Sequence, residues 1–158
     1  SFKLETMPEK RNNSLIPLSR EHHFALQLCW KINKGIQLEI EGDRISNYIQ
    51  WFYNHYLSNH FHEEENYLFP LLGIDNKHIQ QALDEHSKLK QIILQNDIEY
   101  TSLSEFALML NNHIRFEERI LFNEIQQKVC VNELKMVEGK FTHTQFIENE
   151  KDEFWITK

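Results

Sequence analysis

The sequence predicts an all-α protein: an up-down-up-down four-helix bundle with a short C-terminal extension. Three observations point there. Four stretches carry apolar residues at steps of three and four, the period of a helix with one buried face. The chain has only 4 glycines and 3 prolines in 158 residues. Sandwiches and barrels need frequent turns, and average usage would give those two types roughly 12% of a chain. Finally, 41% apolar residues can fill one core, but this length does not divide comfortably into two domains.

Each element has its own signal. Pro8 and Pro17 bracket an N-terminal arm, residues 1–16. The bundle occupies 17–130. Its first helix carries Leu18, His22, Ala25, Cys29, Ile32 and Ile36, with Ser19 as the expected N-cap and Gly35 near the far end. The second runs from an Asp43 cap through Ile45, Ile49, Phe52, Tyr56, His60, Glu64, Leu68 and Leu71. Asp75 or Asn76 precedes the third, which carries Ile79, Ala82, His86, Leu89 and Ile93. Ser102 or Ser104 opens the fourth, with Leu103, Phe106, Leu110, His113, Glu117, Ile120 and Glu124. Gly42 and Gly73 interrupt the pattern where helices should end. Residues 131–158 read as a short helix around Asn132–Glu138 and a tail whose Phe141, Phe146, Phe154 and Trp155 should dock on the bundle. No internal repeat, low-complexity tract or Ser/Gly linker is visible.

Composition excludes several classes. The longest apolar run, Tyr67–Ile74, is broken by Pro70 and Gly73, so no bilayer span is expected. No basic segment leading into an apolar stretch marks a signal peptide. Cys29 and Cys130 stand a hundred residues apart and imply no disulfide framework, which favours a reducing, cytoplasmic setting. A formal charge of −7 disfavours nucleic acid and anionic membranes as partners.

The informative residues are those that interrupt the apolar stripes: His22, His60, Glu64, His86, His113 and Glu117. Every helix puts a histidine where the pattern calls for Leu or Ile. Two helices add a glutamate one turn on, in the spacing His-x-x-x-Glu, and positions i and i+4 share a helix face. Burying six such groups unpaired would be very costly. A pair of metal ions resolves the cost, because it neutralises the carboxylates and accepts the imidazole lone pairs. A mixed nitrogen and oxygen set suits iron or manganese, whereas zinc prefers fewer ligands and more sulfur. His62, Glu63, Glu65 and Glu118 fall out of phase and are expected in solvent, or at most supporting the ligands from outside. His55, His78 and His143 read as surface residues. Of the adjacent pair, His22 keeps the inward phase and His23 lies on the flank.

The segments SREHHFAL, HFHEEENYLFPLL, DEHSKL and HIRFEERILF resemble the helix motifs of the hemerythrin-like (HHE cation-binding) family, over roughly Pro17–Cys130. The resemblance implies a four-helix bundle around a non-haem di-iron centre, possibly oxo- or hydroxo-bridged. Glu64 and Glu117 would bridge the two iron ions, His22 and His60 would bind one, and His86 and His113 the other. One departure matters. The oxygen carriers of the family place a further histidine one turn before the position of His86, and this chain has Ala82 there. The four-residue spacing from His113 to Glu117 also resembles the broader HHE branch, linked to iron sensing or nitrosative-stress repair. The repair role relies on an additional cysteine-bearing domain that this sequence does not show.

The leading expectation is therefore a non-haem di-iron protein that binds or senses dioxygen, nitric oxide or peroxide at an open iron position. A di-iron peroxidase or oxidase is the enzymatic alternative, and iron sensing or buffering a third. A purely structural bundle would require the six polar groups to satisfy one another.

Overall fold

A computed structural model describes residues 10–157; Pro8, with most of the predicted arm, lies outside them. A 3-10 turn, Asn13–Leu15, leads into α1, Ile16–Gln37. α2 covers residues 42–72, α3 is Lys77–Gln95, α4 covers 100–128 and α5 is Val131–Glu138. There is no strand among the described residues. Short connections make successive helices antiparallel neighbours, and α4 closes the bundle against α1. No described helix is long and apolar enough to cross a membrane.

Helix starts differ from the expected caps at three of four ends. Pro17 opens α1 before Ser19, because a first turn needs no N–H from it. Asp43 sits inside the first turn of α2, where its charge suits the helix dipole, and Glu41 precedes the helix. Asn76 caps α3 as one of the two candidates, its Oδ1 accepting from the N–H of His78 and Ile79 at 2.8 and 3.2 Å. α4 begins at Tyr100, while Ser102 Oγ donates back to Asp97 at 2.7 Å. Gly42 opens α2 because the chain passes it closely: a Cβ there would lie 1.8 Å from the carbonyl oxygen of Ile98. Gly73, with φ of +101°, ends the helix in a conformation that side chains resist.

The stripes decide where the helices depart from α geometry. In α1 and α3 the steps alternate between four and three, and both are plain α-helices. In α2 the stripe Phe52, Tyr56, His60, Glu64, Leu68 advances by fours. Each such step overshoots a turn by about 40°, so four of them would carry Leu68 roughly 160° round the helix. Two under-wound turns, Tyr53–Leu57 and Glu64–Leu68, absorb the excess. There Ser58 N–H donates to the Tyr53 carbonyl and Phe69 N–H to that of Glu64, five residues back. Leu57 takes the innermost place that Tyr56 was expected to fill.

α4 contains a third under-wound turn, Glu117–Leu121, closed by Phe122 N–H on the Glu117 carbonyl. One extra residue in the turn advances the buried face by one. Leu121 and Ile125 are buried, whereas Ile120 is 46% exposed. Glu124 accepts from His78 Nδ1 at 2.5 Å and Asn76 at 2.7 Å instead of lying in the stripe. The expected inward positions Ile120 and Glu124 are thus corrected.

The apolar core falls into two clusters. One contains Leu28, Ile32, Ile45, Ile49, Phe61 and Leu89. The other contains Leu18, Leu68, Phe69, Ala82, Leu121 and Phe122. α5 joins the second through Leu134 and Val137, with Phe141 beside them. The tail then runs back along α1 and α2 to bury Phe154 in the first cluster. Phe146 stacks on Phe24 at 4.7 Å, and Lys31 donates to Glu148 at 2.6 Å.

Candidate metal centre

All six polar residues of the stripes meet in the layer between the two clusters. His22, His60, Glu64, His86, His113 and Glu117 are each at most 3% exposed. His22, His60, Glu64 and Glu117 can place one ligand atom each within 4.8 Å of one another, and so can Glu64, His86, His113 and Glu117. The two groups share both glutamates. Glu64 Oε2 lies 3.2 Å from His60 Nε2 and 3.4 Å from His22 Nε2, while its Oε1 lies 3.2 Å from His86 Nε2. Glu117 Oε1 lies 3.0 Å from His22 Nε2 and 3.3 Å from His113 Nε2. The rings pair across the layer, His22 with His60 and His86 with His113, each at 4.7 Å between centroids. Apolar walls fix them: Phe61 stacks on His86 at 3.9 Å and Phe122 on His22 at 5.2 Å.

Four further carboxylates orient the histidines from outside. The Nδ1–H of His60 donates to Glu21 at 2.9 Å, that of His86 to Glu65 at 2.7 Å, that of His113 to Glu85 at 2.7 Å and that of His22 to Glu118 at 2.7 Å. An ionised carboxylate only accepts, so each Nδ1 carries a proton and each Nε2 is the nitrogen turned inward, able to offer its lone pair to a metal once deprotonated. The four bonds form a closed cycle: α1 holds the histidine of α2, α2 that of α3, α3 that of α4, and α4 that of α1. The outer carboxylates are themselves braced. Lys90 reaches Glu65 at 3.2 Å, Gln81 reaches Glu85 at 3.0 Å, and Ser19 donates to Glu118 at 2.8 Å with Arg11 beside it at 3.6 Å.

The cycle follows from two short patterns used twice. Glu21-His22 in α1 matches Glu85-His86 in α3, and His60-x-x-x-Glu64-Glu65 in α2 matches His113-x-x-x-Glu117-Glu118 in α4. In α2 and α4 the under-wound turn starts at the inner glutamate itself. This places two successive glutamates on the two sides of the layer, one inward and the next against a neighbouring helix. Glu65 and Glu118 are therefore partly buried imidazole partners, in the supporting role that was the most expected of them, and Glu21 and Glu85 were not picked out from the sequence at all. The repeated Glu-His pair was the available signal.

Glu63 also departs from expectation. It is 2% exposed and accepts from Thr142 N–H at 2.6 Å and Asn59 at 3.1 Å, fastening the tail to α2. Burial pushes its carboxyl above the usual range. His55, His62 and His143 are exposed, as is His23, which faces Gln27 at 3.1 Å.

The electrostatics of the layer are unusual for a core. Burial acts to lower the histidine pKa values, but the carboxylates outweigh it: Glu64 and Glu21 hold His60 at about 9, and Glu117 and Glu85 hold His113 at about 10. His22 is likewise raised well above its usual value, by Glu117, Glu118 and Glu64. Burial alone would raise Glu64, yet the surrounding imidazoles bring it well below the carboxylate range. Even so, the four Nε2 atoms and all four oxygens of Glu64 and Glu117 are buried without a hydrogen-bond partner. Native proteins leave only a few such atoms per hundred residues. Eight gathered in one layer, four imidazole nitrogens and four carboxylate oxygens, are a donor set that fits metal cations able to displace the imidazole protons.

A helical bundle whose core sets two histidine pairs about two shared glutamates belongs to the cation-binding class, with the donors of a binuclear site. The chain is a member of the hemerythrin family: the Hemerythrin HHE cation binding domain matches residues 17–125. Comparisons with curated proteins and with solved structures gave no match.

Proposed function

We propose that the protein holds two iron ions bridged by Glu64 and Glu117, with His22 and His60 on one ion and His86 and His113 on the other. The bound pair serves to bind or sense a small ligand such as dioxygen, nitric oxide or peroxide. The observation that carries this reading is the set of eight buried atoms without partners. Charge supports it as well. Six carboxylates surround the layer, and among the described residues Arg11 and Lys90 are the basic side chains that approach them. With the imidazoles neutral, as metal ligands are, two divalent ions would cancel the four negative charges left over. Mixed imidazole and carboxylate donors suit iron. If both carboxylates bridge, each ion receives two nitrogens and two oxygens, fewer than the six positions iron commonly fills. Ala82, fully buried, supplies no further donor. Room remains for an exogenous ligand.

The outer glutamates keep the imidazoles electron-rich and correctly turned, which favours the more highly charged metal state. The same closed cycle favours iron sensing or buffering as a second reading, because every helix of the bundle feels whether the centre is filled. The reading takes 17–130 as the metal-binding unit, with 1–16 and 131–158 appended to it. It also takes the setting to be cytoplasmic, which the free Cys29 and Cys130 support.

Anaerobic loading with ferrous iron, followed by metal analysis and optical spectra before and after air, tests the proposal. About two irons per chain and a new charge-transfer absorption on oxidation are the expected result. A ratio that stays near zero or one rejects a di-iron centre.

A further inference from the structure

One of the four outer carboxylates differs from the rest. Among the described residues, Glu21 accepts only from His60, whereas Glu65, Glu85 and Glu118 each have a second partner. The space beside it is a small, partly open chamber. Most of its lining is apolar, from Phe24, Phe52, Leu57, Phe146 and the ring of Tyr56, and Glu21, His60 and Thr144 line it as well. The centre of a water-sized molecule can move through about 20 Å³ of it, slightly more than the roughly 10–15 Å³ one such molecule requires. A larger outer cleft of about 220 Å³ shares Glu21, Phe24, Thr144 and Phe146 with the chamber and extends past Arg20 and His143. Thr144 and Phe146 of the C-terminal segment thus line both.

That segment is held firmly. Tyr56 Oη donates to the Ile147 carbonyl at 3.0 Å and accepts from its N–H at 2.9 Å, and Glu63 holds Thr142 four residues before Phe146. Phe146 is thus pinned from both sides over the chamber.

We propose that this chamber is a docking site for an uncharged, apolar ligand of about two or three non-hydrogen atoms, with Phe146 as one of its fixed walls. Size sets the upper limit. Class follows from the walls: an anion would lose its water among aromatic rings and face the carboxylate of Glu21, which penalises it twice. A molecule such as nitric oxide or dioxygen pays neither cost and comes to rest against the imidazole of His60. Delivery from the chamber to the metal centre rests on the function proposed above; occupancy of the chamber does not.

Crystals of the wild type and of Phe146→Trp pressurised with xenon separate the two. Xenon is apolar and of matching size, and it should give an anomalous peak among Phe24, Phe52 and Leu57 in the wild type and none in Phe146→Trp. No peak in the wild type, or an equal peak in the variant, overturns the docking site. With the reduced iron-loaded protein, nitric oxide association should slow about tenfold in Phe146→Trp, while azide binding to the oxidised form changes less than about twofold. Equal slowing of both would overturn the assignment to uncharged ligands. A protein that shows the xenon peak yet takes up no iron keeps the chamber and loses the proposed function.

Discussion

Glu118 and His22 are joined across the α4–α1 contact, Nδ1–H to Oε2 at 2.7 Å, while the residue before Glu118 faces the other side of the same ring: Glu117 Oε1 lies 3.0 Å from His22 Nε2. Two consecutive residues thus address both nitrogens of one imidazole. A regular α-helix turns neighbours about 100° apart; the under-wound turn that begins at Glu117 is where α4 accommodates this arrangement.

The outer carboxylates should matter to metal binding without touching metal. Glu118→Gln and Glu65→Gln keep the shape but remove the charge that holds the imidazole. Metal affinity, measured by chelator competition, should fall about 10- to 100-fold in each variant with the helical content unchanged. An unaltered affinity would mean that the hydrogen bonds only pack the rings.

Sharing of the inner glutamates predicts unequal losses. Glu64→Ala or Glu117→Ala should remove nearly all bound metal, because each carboxylate faces histidines of both groups. His22→Ala should mainly deplete one ion, and His23→Ala, on an exposed residue, neither. Metal analysis of the purified variants decides. Half occupancy in Glu117→Ala would show that the carboxylate serves one ion alone.

The metal-free protein should lose stability as the pH rises. Against the pull of burial, carboxylates hold His60 at about 9 and His113 at about 10, above the ordinary value near 6.5. A raised folded-state pKa stabilises fully below the unfolded value, and that contribution is lost as the pH climbs to the folded one. The chelated protein should therefore melt several degrees lower at pH 9.5 than at pH 6, with the loss spread between about pH 6.5 and 10. Metal displaces these protons, so the loaded protein should behave in the opposite sense and fail as the pH falls. Melting curves of both forms check the sign.

Only one thiol of the folded chain should react. Cys130 is exposed, whereas Cys29 is 2% exposed and burial pushes its thiol up to about 12. A chromogenic disulfide reagent should titrate one equivalent in buffer and two in denaturant. Two fast equivalents in buffer would place Cys29 at the surface.

Glu63→Ala should loosen the tail. It leaves the Thr142 N–H without its partner and costs about 1–3 kcal/mol. Limited proteolysis should then cut the C-terminal segment faster, with the metal ligands unaffected.

Much of this protein is legible in its residues. The alternating steps of α1 and α3 describe helices that stay α throughout, and His22 and His86 fall on the inward face as periodicity requires. The His-x-x-x-Glu spacing puts His60 with Glu64, and His113 with Glu117, on a shared face whatever the neighbours do. Four helices, their order and the six inward polar groups are consequences of local spacing, and local spacing is written in the chain. The phase after Glu117 was not readable in the same way. Past Glu117 the sequence offers both Ile120 and Glu124, the steps of a plain α-helix, and Leu121 and Ile125, the fours of an under-wound turn, and only packing against the other helices selects the second pair. The outer carboxylates depended on tertiary structure still more. Glu65 reaches His86 over 21 residues and Glu118 reaches His22 over 96. On its own helix each is simply a charged residue out of phase with the core, and it becomes part of the centre only when a neighbouring helix brings an imidazole to it. Periodicity reports which face of one helix is buried; what that face meets is set by the three helices around it.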